Sequence, residues 1–265
     1  MALTALAVVD GQVVPADEAT IPATDEGLLR GDGVFEVMRL YEGRPFAVED
    51  HLRRMARSAA NLRLELDLGA VRGDLDALLA AAGPVDACVR LLVTRGGRRI
   101  GLVERLKDLA PALALASVEY VPPRVLDGIK SLSYGGNMLA TRLAQERGAD
   151  EALLVTPHGR VLEGPTSAFF VSLDGETLVT PPLSDRVLDS ITRRRLLAVL
   201  PGVREEVVTR EEVGGAREAF LASTTREVQP VATVDGDPLP AAPGPLTTDA
   251  AQRFRTLVRS ELGDA

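Results

Sequence analysis

The 265-residue chain has one cysteine, Cys88, two histidines, His51 and His158, and two lysines, Lys107 and Lys130. Each scarcity excludes something. A single cysteine forbids an intrachain disulfide and fits a reducing cytoplasm. Two histidines, with no CxxC or HExxH motif, leave no zinc-type ligand set, so no metal is expected. A Ser-His-Asp hydrolase would need one of those histidines as its base, and no GxSxG elbow occurs. No apolar run approaches the roughly 20 residues that span a bilayer. No basic stripe runs along any segment, so neither a membrane nor nucleic acid is an expected partner. The net charge of −8 is spread among interspersed acids and bases and favours solubility. The opening MALTALAVVDGQ lacks a basic n-region and breaks at Asp10-Gly11, so it reads as a first strand and not as a signal peptide. Gly31-Asp32-Gly33 precedes a strand and lacks the third glycine of a dinucleotide loop.

The lysine scarcity is the most informative. Of 30 basic residues only two are lysine, so arginine serves nearly everywhere a cation is wanted. A guanidinium is always charged, whereas a primary amine can lose its proton on burial and condense with a carbonyl. Lys107 lies in the charged stretch VERLKDLAP and reads as surface. Lys130 lies in DGIKSLSYGGN, among small and apolar residues. The residues alone leave two alternatives for it, a strand-end lysine retained by chance and a reactive amine.

With 46% hydrophobic residues the chain can bury a sizeable core. The first ten residues read as a strand turning at Asp10-Gly11, and VFEVMRLYEG as a strand returning through RPFAV. Residues 49–63 place Leu52, Met55, Ala59 and Leu62 at helical spacing. A second helix is expected over about 71–82, followed by strands in ACVRLLVTRGG and ALALASVEYV. Pro122-Pro123 interrupts the pattern and marks a linker over 121–125. Beyond it, MLATRLAQERG, ITRRRLLAVLPG and TTDAAQRFRTLVRSEL read as helices. EALLVTPHGRVLEG and SAFFVSLDGETLVTP read as hairpins, REEVVT and EAFLAST as strands, and 238–245 as a loop. The mixture predicts an α/β (α+β) chain with a smaller domain over 1–120 and a larger one over 126–265.

Two short segments could bind a phosphate. Ser190-Ile191-Thr192 opens a helix, where free N–H groups meet an anion, although an ordinary N-cap has the same residues. Ala222-Ser223-Thr224 ends a strand in a hydroxyl-rich turn, which simple turn chemistry also explains. Arg54, flanked by Arg53 and Arg57, reads on its own as part of a solvated helix face.

Taken together and in order, RGDGVFEVMR (30–39), HLRRMARSA (51–59), IKSLSYGGN (129–137), GADEALLVTPHGRVLEGPTSAFFV (148–171), VLDSITR (187–193) and FLASTTREVQPV (220–231) resemble the fold-type IV pyridoxal-phosphate enzymes. That family includes branched-chain and D-amino-acid aminotransferases and aminodeoxychorismate lyases. The resemblance implies two domains with pyridoxal 5′-phosphate in the cleft between them, and a homodimer. It implies Lys130 as the catalytic Schiff-base lysine and Glu163 as the carboxylate facing the pyridine nitrogen. Arg54, Ile191, Thr192 and Thr224 match the phosphate contacts, Leu188 packs on a ring face, and Tyr134 lies near the cofactor. The implied reaction moves an amino group between an amino acid and a 2-oxo acid. The donor class is open among D-amino acids, branched-chain amino acids and (R)-amines, and the alternative is pyruvate elimination from 4-amino-4-deoxychorismate.

The substrate region departs from the D-amino-acid pattern. Phe35 stands where a tyrosine is usual, and GRRIGLVE contains no histidine. The expected substrate contacts are Phe35, Thr225 and at least one arginine of the set Arg90, Arg95, Arg98 and Arg99. The last three fall in a glycine-rich stretch that reads as a mobile loop.

Overall fold

The computed structural model describes residues 5–263; the first four residues of the expected N-terminal strand lie outside that range. The chain divides into two compact units. Unit 1 comprises the residues up to Asp108 together with Ile129–Tyr134, and unit 2 comprises Leu109–Gly128 and everything from Gly135 onward.

Unit 1 contains β1 (Leu6–Val9), β2 (Gln12–Pro15), α1 (Glu26–Arg30), β3 (Gly33–Tyr41), β4 (Arg44–Pro45), α2 (Val48–Leu62), α3 (Leu68–Ala82), β5 (Ala87–Thr94) and β6 (Arg99–Glu104). Its strands form one antiparallel sheet in the order β2-β1-β6-β5-β3-β4. Helix α2 packs on β3, and α3 on β1 and β6. The periodicity that predicts α2 also sets its face: Leu52, Met55 and Ala59 are buried, while Arg53 and Arg57 are exposed. They join Met38, Leu40, Leu75, Leu78 and Val89 in one apolar core.

Unit 2 contains β7 (Leu113–Glu119), α4 (Gly135–Gln145), β8 (Glu151–Val155), β9 (Ala168–Ser172), β10 (Val179–Thr180), α5 (Ile191–Val199), β11 (Arg204–Glu205), α6 (Arg210–Gly214), β12 (Glu218–Ser223), β13 (Glu227–Val234), β14 (Asp237–Pro238) and α7 (Pro245–Leu262). The sheet runs β11-β10-β9-β12-β13-β7-β8, with β14 beside β13. Strands β8 and β9 are buried at every position: β9 lies inside the sheet, and β8, its last strand, is covered by α4 and bridged by Val161. The start of α7 is held by a buried carboxylate. Glu218 accepts the N–H groups of Leu246 and Thr247 and the Thr247 hydroxyl, which answers donors the helix itself cannot use.

Backbone pairing divides the chain differently from the linear reading at 1–120 and 126–265. Strand β7 pairs in parallel with both β13 and β8, so it belongs to unit 2. Residues Ile129–Tyr134 pair with β3 instead. Phe35 donates to the Lys130 carbonyl at 3.1 Å, Leu132 donates to the Gly33 carbonyl at 2.9 Å, and Val34 and Ser131 form a bridge. Gly33 must be glycine here, because a Cβ would stand 2.5 Å from the Val93 carbonyl oxygen and 2.6 Å from the Leu132 side chain. Three strands, β6, β13 and the two-residue β14, were not foreseen. The RPFAV return strand shrinks to Arg44–Pro45 because α2 begins at Val48, and REEVVT shrinks to Arg204–Glu205.

One polar cluster fastens α2 to the sheet. Glu36 of β3 is fully buried. Its carboxylate accepts two hydrogen bonds from Arg54, at 2.7 Å from Nε and 2.6 Å from a terminal nitrogen, and lies 2.8 Å from Nδ1 of His51. One helical turn further, the buried Ser58 hydroxyl accepts the Lys130 N–H at 3.1 Å. Burial pushes the Glu36 carboxyl up, but the Arg54 charge and the bonds from Arg54 and His51 outweigh it and hold the group at about 2, against an ordinary 4.5. Burial, only partly offset by Glu36, pushes His51 below its ordinary 6.5 and keeps it neutral.

These shifts fix the sign of the acid response. A carboxyl depressed in the fold stabilises it above the unfolded pKa of 4.5, and that stability is lost as pH falls through about 2. The amount is on the order of 3 kcal/mol. His51 acts in the same direction, because the unfolded chain takes up its proton first. Urea titrations at successive pH values should therefore show unit 1 weakening through this window. Glu36→Gln, which removes the buried carboxylate that accepts both Arg54 hydrogen bonds, should cost about 3–5 kcal/mol at neutral pH and flatten the acid slope. An unchanged slope would remove Glu36 as its source.

Candidate active site

The two pinning interactions at Lys130 leave its backbone no freedom. Its N–H is held by Ser58 and its carbonyl by Phe35. The side chain then runs along an aromatic pair. The amine Nζ donates to the Tyr134 hydroxyl at 3.3 Å and lies 4.2 Å from the centre of the Phe35 ring. Phe35 and Tyr134 meet edge to face with centroids 4.9 Å apart. Lys107 is exposed in an irregular segment. The structure thus separates the two lysines as their local sequences do.

Arg90 of β5 stands opposite Val37 of β3, so it shares a sheet face with Phe35. Its guanidinium lies 5.7 Å from the Phe35 ring and bonds Glu104 at 2.9 Å, while remaining about a third exposed. Phe35, Lys130, Tyr134 and Arg90 therefore form one group.

The other arginines of the set lie elsewhere, and each meets a carboxylate. Arg95 pairs with both oxygens of Asp32, at 3.0 and 3.1 Å, and donates to the carbonyls of Leu62 and Arg63. Arg98 pairs with Asp10, and Arg99 with Asp74 at 2.7 Å. Instead of a loose loop, this stretch is the β5–β6 hairpin, tied to its surroundings on both sides. The RGDGVFE segment becomes intelligible as well. Gly31 ends α1 in the left-handed conformation, Asp32 anchors Arg95, and Gly33 admits the Lys130 segment.

In unit 2, Glu163 lies on the strand-like return beside β8, where its carbonyl accepts the Leu154 N–H. Its carboxylate accepts the Leu188 N–H at 3.0 Å, which brings two of the sequence-predicted residues together. The neighbouring Tyr120 hydroxyl is pushed up by burial and by the Glu163 charge. Three residues beyond Leu188, α5 begins. The Ser190 hydroxyl caps it by accepting the Arg193 N–H. The Ile191 and Thr192 N–H groups stand nearer the positive end of the helix than the one the cap takes. Thr224 and Thr225 occupy the turn between β12 and β13.

This donor set fits pyridoxal phosphate. An aldehyde needs a primary amine, and the chain holds one in an aromatic setting. A pyridine nitrogen needs a carboxylate, and a phosphate dianion needs an arginine and backbone N–H groups at a helix start. Among the described residues no group of histidine, cysteine and carboxylates could hold a metal ion, and no helix is long and apolar enough to cross a membrane.

Sequence reasoning missed Glu36, His51, Ser58, Glu151 and Arg226. The first three had a signal. His51, Arg54 and Ser58 recur at helical spacing beside Leu52, Met55 and Ala59, so they had to share the buried face, where polar groups need partners. Arg54 thereby parts from its exposed neighbours Arg53 and Arg57. Glu151 and Arg226 are 75 positions apart, and no local pattern links them.

Comparison with known proteins identifies the family. Residues 33–234 match the family model for amino-transferase class IV. The chain is 29% identical to the D-alanine aminotransferase of Bacillus licheniformis, over 95% of this chain and 96% of that one. It is 33% identical to a candidate branched-chain-amino-acid aminotransferase of Methanocaldococcus jannaschii, over 86% and 87%. Its fold is similar to that of a hypothetical aminotransferase from Mycobacterium tuberculosis in the PLP-bound form, with a TM-score of 0.87, 25% identity and coverage of 97% and 99%. The chain accordingly belongs to the class IV aminotransferases: it is a pyridoxal-phosphate enzyme of fold type IV that moves an amino group between an amino acid and a 2-oxo acid.

Proposed function

We propose that Lys130 is the residue that carries the cofactor and moves the proton, and that Arg90 selects donors bearing a carboxylate. The observation that carries this reading is the placement of the Lys130 amine, pinned through its backbone and set against Phe35 and Tyr134. When bound, pyridoxal phosphate supplies a carbonyl that condenses with amines and a protonated ring that accepts the electron pair released at the substrate Cα. Displaced from that carbonyl carbon by the substrate's amine, the Lys130 amine would be free to take the proton from Cα and to return it at the same carbonyl carbon. The Tyr134 hydroxyl receives a hydrogen bond from Nζ and orients the amine. Glu163, itself held by the Leu188 N–H, keeps the ring nitrogen protonated. Leu188 would pack on the ring face, and Arg54, Ile191, Thr192 and Thr224 would hold the phosphate.

For the substrate, Phe35 lines the reacting end and Thr225 offers polar contacts in the β12–β13 turn. Arg95 and Arg98 were candidates too, and all three arginines meet a carboxylate; Arg90 is favoured because its guanidinium lies 5.7 Å from the Phe35 ring that the Lys130 amine also faces. The relatives described for D-alanine and for branched-chain amino acids support an amino acid over a simple amine as donor. We extend the proposal to a cytoplasmic homodimer, checked by the mass of the native protein in solution.

Three measurements test the assignment. Purified protein reconstituted with pyridoxal phosphate should be yellow, and borohydride should fix the cofactor on Lys130; label on Lys107 would sink the reading. Glu163→Gln should keep most cofactor binding and slow proton removal in single-turnover experiments, and an unchanged rate would separate Glu163 from the ring nitrogen. Arg90→Ala should lose ~2–4 kcal/mol of transition-state binding for an amino acid and little for 1-phenylethylamine. Equal losses on both donors, or none, would leave the carboxylate to the N–H groups around Thr224 and Thr225.

A further inference from the structure

The β12–β13 turn is built under constraint. Ser223 pairs with Glu227 across a three-residue loop of Thr224, Thr225 and Arg226. Glu227 closes it in the left-handed conformation, at φ +56°, which a side chain adopts only at a cost. Such a turn keeps its shape only if its surroundings determine it.

Arg226 supplies that determination. Its N–H donates to the Ser223 hydroxyl at 3.3 Å, across the turn. Its side chain folds inward and is only 17% exposed. One terminal nitrogen donates to Gln229 at 2.6 Å and the other to Glu151 at 2.7 Å. Both acceptors are buried. Gln229 in turn donates to the Ala110 carbonyl at 3.0 Å. Glu151 opens β8, and its second oxygen accepts the Thr141 hydroxyl of α4 at 2.6 Å and the Ala152 N–H at 3.2 Å. A chain of hydrogen bonds thus runs from the turn through Arg226 and Glu151 to the helix that follows the Lys130 segment in sequence.

A buried ion pair is weak evidence for stability, since desolvation offsets most of its attraction. Its geometric content is larger: the planar guanidinium fork fixes direction as well as distance. The Arg226 charge is matched by Glu151, so the pair's output is shape and not field. The adjacent hydroxyls and N–H groups of Thr224 and Thr225 are what that shape presents.

We propose that Arg226 and Glu151 are a positioning pair that preorganises the Thr224–Thr225 turn for an anionic group, the phosphate of the cofactor. This rests on the reading of Thr224 as a phosphate contact. The pair touches neither cofactor nor substrate; it acts through the turn.

The test compares pyridoxal phosphate with pyridoxal, which differs only by the phosphate, each titrated into the cofactor-free full chain, with inorganic phosphate as a competitor. Arg226→Ala and Glu151→Gln should each weaken pyridoxal phosphate by about tenfold and leave pyridoxal within about twofold, and the double variant should be no worse than the weaker single one. Inorganic phosphate should compete less well with both variants. Arg226→Lys keeps the charge without the fork and should fall between wild type and Arg226→Ala; it also serves if the alanine variant fails to fold. Equal losses for the two ligands, or a fall in melting temperature with both affinities intact, would overturn the proposal by making the pair merely structural. A wild-type chain that binds both ligands equally would overturn it differently, by removing the phosphate reading beneath it.

Discussion

A fully buried carboxylate has to be answered, and in unit 1 the answer organises everything around it. Glu36 points into the space between β3 and α2, where an isolated charge would be prohibitive. Arg54 and His51 meet it from one helix face, and their bonds fix the rotation of α2 about its axis. Once that rotation is set, Ser58 falls one turn on, opposite the Lys130 backbone. The same strand carries Phe35, whose N–H holds the Lys130 carbonyl and whose ring meets the amine. Adjacent residues of one strand thus send side chains to opposite faces, Glu36 to Arg54 and His51 and Phe35 to the Lys130 amine.

The division of labour between the units follows from what each element offers. Unit 1 holds the Lys130 amine, on a short segment hydrogen-bonded from two sides. Unit 2 offers a carboxylate on a rigid return beside a buried strand, a capped helix start and a tight turn. Hydrogen bonds fix each of these elements locally, which suits a reaction whose cost lies in orientation.

Much of this was legible in the sequence, for identifiable reasons. The apolar repeat of α2 follows from periodicity, and β8 and β9 from short apolar runs bounded by turn residues. Lys130 stood out because the chain uses arginine nearly everywhere else, a bias that turns each remaining lysine into a question. Strand β6 was hidden because GRRIGLVE begins with glycine and arginines, which look like loop until Asp10 and Asp74 neutralise them. The boundary between the units was hidden for a different reason. Pro122-Pro123 does interrupt regular structure, but which sheet a neighbouring strand joins depends on partners far along the chain. Strand β7 finds them in β13 and β8. Arg226 and Glu151 belong to the same class: charge and spacing give no hint that the two will meet.

The excursion of Ile129–Tyr134 into unit 1 has a consequence for how this architecture can change over time. The chain passes from one unit to the other at three points, after Asp108, after Gly128 and after Tyr134. No single crossover in the gene can exchange one unit intact. Swapping everything before Asp108 would bring a new β3 and α2 while keeping the old Lys130 segment, and the newcomer would have to reproduce both the Gly33 clearance and the Ser58 acceptor to receive it. The two units are thus bound to diversify together, by point substitution at sites such as Phe35 and Arg90, and not by trading modules.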